Sequence, residues 1–565
     1  MAHDHQFTLK SQRLGPLPII NRFIEKLELE TLLDRFVPTT DPRCKLPYVK
    51  ALGILLRSIL VEREPVYRHQ ETLEGFAPEA FGLSASVNLS DDQLGRALDR
   101  LFVADRAGLL TATVVSAARR FSVRLDELHN DSTTIKLCGQ YRHARGRSIR
   151  GRRGPWITYG YSKDHRSDLK QLLFILTASA DGAVPVQFRC ADGNTADVIT
   201  HIETWETLCT VSGRKDFLYV ADSKLCSSDN MDTIHQRGGR FVTVLPRARR
   251  EDAQFRKWIQ ENEPPWEVVW DRPNPRRKHG PRDIWKVYRH PIPSQENWPV
   301  TWIYSTLLQQ HQRHSRQDRL ERGKQELERL KAQLEGARPR WRSAFTVEEE
   351  VKKIVGRLHI QNYLRAWVFE KEQTKFRQER PGRPSADTRY RRESRTRVTL
   401  SYEVHQEAID FDMKSDGMYP LLTNDRKLTA LQVLEAHKRQ PVVEKRFEQA
   451  KTVHEIAPVF LKNEGRIEAF FFLYFLALLV QALIERELRL GMKRAGIQEL
   501  ALYPEERRCK YPTARRVFQL FSLAQRHVLF DTAGTAVQMF ETKLTELQGQ
   551  VLNLLGQPQE LYQTS

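Results

Sequence analysis

The sequence predicts a mixed α/β core held between helical segments, and two changes of hydrophobic rhythm predict it. Residues 14 to 120 read as short helices: LGPLPIINRFIEKLELETLLDRF spaces its apolar residues helically after Pro18, and in LSDDQLGRALDRLF Ser90 and Gln93 form a capping-box pattern. From about residue 122 the rhythm becomes that of strands. LDELHND leads into Asp131, and DLKQLLFILTASADGAVPVQFRC holds two strand-like runs joined at Asp181-Gly182, a hairpin signature. A helical segment near 196–208, the strand FLYVAD, a second helical segment near 230–237 and a short strand at 241–245 follow. An antiparallel hairpin set extended by β-α-β crossovers gives a mixed sheet covered by helices.

That order of elements is the order of the ribonuclease-H-like fold. Residues 246–400 break it with eight of the ten tryptophans and with Pro- and Arg-rich turns such as DRPNPRRKHGPRD. Leu320, Leu327, Leu330 and Leu334 keep an a/d-like rhythm that Gly323 interrupts, so a helical hairpin with residues 347–359 is expected rather than a coiled coil. RQERPGRPSADTRYRRESRTR at 377–397 reads as a mobile basic loop. VTLSYEV and MYPLLTN return to the core as strands, and helices dominate from Leu428 onward. The expected pieces are a helical domain at 1–120, core at 121–245 and 401–485, an insertion of mixed β and helical hairpin at 246–400, and a C-terminal helical domain at 486–565.

With 565 residues the chain exceeds one ordinary domain. Its 90 Lys and Arg against 71 Asp and Glu leave +19, which points to a polyanion, and nucleic acid is the commonest. Six scattered cysteines without a C-x-x-C pair suggest neither a zinc ribbon nor a disulfide framework, so a reducing cytoplasm is expected. No membrane role is expected. AFFFLYFLALLV at 469–480 falls short of the roughly 20 residues a span needs, and reads as a buried core helix.

Asp131 and Asp222 each follow a strand. Two strand-borne carboxylates at one sheet edge would suit Mg²⁺ or Mn²⁺, although each also fits a cap or turn. In AHKRQPVVEKRFEQAK, Pro441 suits a first helical turn and puts Glu444 one turn in, with Lys451 seven residues later on the same face. An acid for metal and a cation for phosphate is one reading; a solvated salt-bridge helix is the other.

Taken together, Asp131, Asp222 and Glu444 resemble the DDE triad of bacterial insertion-sequence transposases. The best match is the group with a long insertion before the Glu and a Tyr-x2-Arg-x3-Glu-x6-Lys signature. On this chain the signature falls on His437, Gln440, Glu444 and Lys451, with His for Tyr and Gln for Arg; neighbouring Lys438 or Arg439 could supply the charge. YGYSKDHRSDLKQ, GNTAD, SDGMYPLLTN and RIEAFFFLYFLALLVQALIERELR are also similar, so the resemblance covers most of residues 12–525.

The resemblance implies a transposase that binds terminal inverted repeats through its N-terminal domain and cuts and joins double-stranded DNA. It implies two Mg²⁺ or Mn²⁺ ions, with Asp131 bridging both and Asp222 and Glu444 each holding one. A homodimer in the synaptic complex and a nucleoid-associated, cytoplasmic, bacterial setting follow from it. RHARGRSIRGRR, with Arg145, Arg147, Arg150, Arg152 and Arg153, would hold duplex beside the metals. Trp298 or Trp302 would stack on an extruded base. His129 is expected to orient neighbours and His201 to lie on a helix surface. A structure-specific nuclease and a DNA-binding derivative without catalysis are the alternatives.

Overall fold

The computed structural model describes residues 7–84, 87–161, 166–274, 280–336, 343–541 and 543–563. It is a mixed α/β protein of two compact units. The first comprises residues 1–243, 423–425 and 435–565; the second comprises 244–422 and 426–434.

The sheet of the first unit is built from β1 (Glu127–Leu137), β2 (Lys170–Ser179), β3 (Pro185–Ala191), β4 (Leu218–Ala221) and β5 (Arg240–Val244), in the order β3-β2-β1-β4-β5. The hairpins β1–β2 and β2–β3 are antiparallel, whereas β4 runs parallel to both β1 and β5. The parallel connections need crossovers, supplied by α4 (His201–Ser212) and α5 (Ser228–Gln236). On the far side of β5, the Thr423 hydroxyl donates to the Phe241 carbonyl and Asn424 Oδ1 accepts from the Phe241 amide.

The helices before the sheet include α1 (Tyr48–Val61), α2 (Asp91–Val103) and α3 (Arg106–Phe121), and Ser90 forms the expected capping box on α2. They pack with the sheet around α10 (Glu464–Arg494). This helix is long and apolar enough to cross a membrane, yet 94% of its apolar stretch is buried inside the fold. Its charged end is tied by the pairs Asp99–Arg466 (2.8 Å) and Arg106–Glu468 (2.6 Å), placing cations opposite acids that would otherwise be buried alone.

The two ends of the chain are not wholly helical. Thr8–Arg13, Gln525–Phe530 and Ala536–Glu541 form a three-stranded antiparallel sheet, with Gln525–Phe530 in the middle. QRHVLF runs from three polar to three apolar residues without the alternation that marks a strand, and one of its partners lies more than 500 positions away.

The second unit has an antiparallel sheet from β6 (Glu267–Arg272), β7 (Asp283–Arg289), β8 (Val300–Ser305) and β11 (Met418–Thr423), ordered β6-β7-β8-β11. Its expected helical hairpin is present as α6 (Thr306–Glu335) and α7 (Ala344–Arg357). Leu320, Leu327, Leu330 and Leu334 pack with Val347, Val351 and Ile354. A Cβ on Gly323 would lie 2.3 Å from Ile360 Cδ1, which explains the glycine in the seam. The expected mobile loop at 377–397 is corrected in part: 377–378 and 390–397 belong to two 15-residue strands, β9 (Leu364–Gln378) and β10 (Tyr390–Val404), and 379–389 is the loop that joins them. VTLSYEV lies in this hairpin rather than in the core, because Val398 and Leu400 pack on the α6–α7 cluster.

Overpacking at Gly323 gives a direct test. Gly323→Leu should destabilise the protein by about 1–3 kcal/mol in urea unfolding, with Gly323→Ala less damaging, because Ile360 has to move.

Candidate active site

Parallel pairing sets the first two carboxylates. The last pair between β1 and β4 is His129 with Val220; two positions farther along stand Asp131, which lies within β1 and does not follow it as expected, and Asp222, just past the end of β4. Side chains alternate along β1, so Asp131 shares a face with His129 and Thr133, while Ser132 points the other way and donates to Asp197 Oδ1 at 2.8 Å. Asp131 Oδ1 accepts from the Ser132 amide at 2.7 Å. Asp222 is half-buried; its Oδ1 caps the following turn by accepting from the Lys224 amide at 3.0 Å, and its carbonyl accepts from the Thr243 hydroxyl at 2.7 Å. The capping role foreseen for Asp222 is therefore real, and it uses only one carboxylate oxygen.

The third carboxylate arrives on a helix pinned to the same face of β1. Pro441 has no amide hydrogen to continue the ladder, so α8 (Ala430–Arg439) ends and α9 (Pro441–Glu448) begins there. At this break Arg439 makes a two-pronged pair with Glu127, at 2.6 and 2.8 Å. Gln440 donates to the Asn130 carbonyl at 2.9 Å, and its Oε1 faces His129 Nδ1 at 3.2 Å. His129 is fully buried, and its other nitrogen meets Glu127 Oε1 at 2.8 Å.

At the other end of α9, Arg446 is 2% exposed and pairs with Glu485 at 2.8 Å while donating to the carbonyls of Gly182 and Ala183. Phe447 meets Phe174 edge-on, and Phe174 stands opposite Thr133. The helix thus runs along β1 from Asn130 toward Thr133, and Glu444, one turn beyond Gln440, falls at the level of Asp131. Glu444 is exposed and has no hydrogen bond or ion pair among the described residues. The solvated salt-bridge helix is not what forms here.

Electrostatics separate the anchors from the open carboxylate. Burial opposes ionisation of Glu127, but His129 and Arg439 outweigh it and hold its carboxyl at about 2. Burial, reinforced by Lys438 and His129, pushes His437 down to about 4, so it is neutral at pH 7 and brings no charge to a phosphate. Burial likewise opposes the charge on Glu485, and Arg446 overcomes it.

Other expected contacts are placed differently. Arg439 and Gln440 hold the helix rather than facing outward. Past Glu448 the chain continues as a wide π-type turn, Gln449–Val453, so Lys451 does not follow the α-helical spacing expected from Glu444. In the arginine-rich segment, Arg147 pairs with Glu464 (2.6 Å), Arg150 with Asp99 (3.0 Å) and Arg153 with Asp192 (2.6 Å), while Arg152 donates to the Ala104 carbonyl. Arg145 remains exposed. Trp298, in the second unit, is 5% exposed, and Trp302 is stacked on Phe255 at 3.7 Å, so neither ring is presented to a base in this conformation. His201 is buried against the Tyr219 hydroxyl (3.0 Å) instead of lying on a helix surface.

Two acids escaped the sequence reading: Glu127, four residues before Asp131, and Asp197, in GNTAD. Only the lone polar run around each could have flagged them. Among the described residues no three His, Cys, Asp or Glu side chains converge closely enough to hold a metal.

Residues 9–115 match a family model described as "Domain of unknown function (DUF4277)", a span that precedes all three carboxylates. No curated protein matches the chain. Among solved structures, the "Cryo-EM structure of piggyBac transposase synaptic complex with hairpin DNA (SNHP)" is similar over 53% of this chain and 63% of that chain, at 11% identity and a TM-score of 0.27. At that score the likeness carries no argument about fold or function.

The Glu127 anchor predicts an acid-linked loss of stability. With its carboxyl lowered from 4.5 to about 2, its contribution is complete above pH 4.5 and disappears as pH falls toward 2. The stability gap between the protein and Glu127→Gln, about 3 kcal/mol from this ionisation near neutral pH, should close over that window in urea titrations. Arg446→Met, which leaves Glu485 only the longer pair with Arg489 (3.6 Å), should cost about 3 kcal/mol at pH 7 by the same measurement.

Proposed function

We propose that the protein is a metal-dependent DNA phosphoryl-transfer enzyme, a transposase of a bacterial insertion sequence with a ribonuclease-H-like core, acting in the cytoplasm on terminal inverted repeats and target DNA. The observation that supports this reading is the placement of Asp131 within β1 and Asp222 just past the end of the adjacent parallel β4, each two positions beyond the last pair of the two strands, with Glu444, exposed and without a hydrogen bond or ion pair among the described residues, on a clamped helix along the same strand. The strand order β3-β2-β1-β4-β5 supports the fold assignment.

The donor set is three carboxylates, the oxygen chemistry that Mg²⁺ or Mn²⁺ takes. Asp131, Asp222 and Glu444 would hold it, two ions in the full site, and the chemistry supplied there is Lewis acidity toward the attacking and leaving oxygens of a phosphodiester. The chain's own part is positioning. The Ser132 and Lys224 amides each fix one oxygen of an aspartate, and the Glu127–Arg439 and Arg446–Glu485 pairs fix both ends of α9. That leaves the Glu444 side chain to rotate toward the aspartates on a stationary backbone. A homodimer bridging two DNA ends fits the need to join both.

The test incubates the full chain with Mg²⁺, a labelled terminal-repeat duplex and a target plasmid. Asp222→Ala and Glu444→Gln should each lower cleavage roughly 10²-fold or more, in line with the loss of one electrostatic stabiliser, while leaving duplex binding in EDTA within about twofold, since direct pairing with phosphate sets that affinity. Unchanged cleavage in either variant overturns the site. Cleavage without joining would assign a nuclease.

A further inference from the structure

The β9–β10 hairpin has a charge arrangement that its own folding does not explain. Two 15-residue strands at about 3.4 Å per residue make a ribbon about 50 Å long. Only its base is packed, through Leu364, Val398 and Leu400; from Phe369 to Arg377 every residue of β9 is exposed. A two-stranded ribbon with neither face covered is marginal in water.

Pairing then sorts its charges by face. On one face of the outer ribbon stand Lys371, Lys375, Arg377, Arg391, Arg395 and Arg397, with Glu393 as the one carboxylate among them. Lys371 lies directly opposite Arg397, and Arg377 opposite Arg391, although like charges facing each other across strands destabilise a ribbon. Glu393 is shared between Arg391 (2.9 Å) and Arg395 (3.9 Å), and Arg397 reaches the Glu335 carbonyl, which carries no neutralising charge. The other face holds Glu370 and Glu372 against Arg392. The cations are thus concentrated on one face of an arm that supports nothing else in its unit.

We propose that this cationic face is a docking surface for duplex DNA. A two-stranded ribbon fits the major groove, and alternate residues advance about 6.8 Å, two base-pair rises, so the cations of one strand fall at intervals of about two or four base pairs along the duplex. An anionic membrane is the weaker match, since the apolar side chains on the cationic face, Phe369 and Trp367, stand toward the packed base and not among the outer cations; Phe376 is on the opposite face. The surface deepens the reading of the protein as one that acts on DNA, and it is separate from the three carboxylates.

The experiment measures binding of the full chain to a fluorescent 30-base-pair duplex by anisotropy in EDTA, over a salt series. The variant Lys375→Gln/Arg377→Gln/Arg391→Gln should bind roughly tenfold or more weakly and lower the slope of log affinity against log salt by about 2 to 3. Thr374→Glu/Ser394→Glu/Thr396→Glu makes the same change in net charge on the other face and should have a much smaller effect. Circular dichroism confirms that both remain folded, and Lys375→Arg/Arg377→Lys/Arg391→Lys should restore binding. Equal losses from both faces, unchanged affinity in the first variant, or a loss confined to anionic phospholipid vesicles each overturns the proposal. Because no metal is present, the ribbon can fail here with Asp222-dependent cleavage intact, and cleavage can fail with the ribbon's binding intact.

Discussion

The candidate site depends on the ion pair between Glu127 and Arg439. It joins the first strand of the sheet to a helix break 312 residues later in the chain. Without it, nothing at the start of α9 except the Gln440 amide would fix where Glu444 stands. Both prongs of the guanidinium are used, and the buried His129 ring bridges the same carboxylate to Gln440. Each buried polar group in this cluster therefore has a partner, which is the condition for such a network to hold a position rather than cost stability.

The second clamp works from the opposite side. Arg446 reaches away from Glu444 into α10, where Glu485 also accepts from the Ala514 amide and the Gln449 side chain. A short helix of eight residues would have little stability of its own. Held at both ends, it presents one exposed carboxylate at a fixed level along β1. Rigid backbone with a free side chain is a useful condition for a ligand that closes around an ion.

Charge is used in two ways in this protein. In the arginine-rich segment three of the six arginines pair with Glu464, Asp99 and Asp192, which fastens that segment within the first unit. On the β9–β10 ribbon the cations are left facing outward on a single side. The overall excess of positive charge is the same sum in both cases, and only the partners distinguish a structural cation from one offered to a polyanion.

The sequence by itself determined the order of strands and helices from about residue 122 to 245, the capping box at Ser90, the helical hairpin of the second unit, the burial of the apolar helix and the choice of Asp131, Asp222 and Glu444 as candidates. These depend on periodicity, turn residues and local spacing, which neighbours in the chain report. Tertiary structure alone decided the rest. Glu127, Arg439 and Gln440 became anchors, His201 went inside, Trp298 was buried, and both ends of the loop expected at 377–397 became ribbon strands. Each outcome turns on a partner tens or hundreds of residues away: Glu464 lies 317 residues from Arg147, and Asn130 lies 310 from Gln440. A charge run or an isolated polar residue looks the same in sequence whether its partner is solvent or a buried carboxylate, because desolvation is set by the packing and not by the neighbours along the chain.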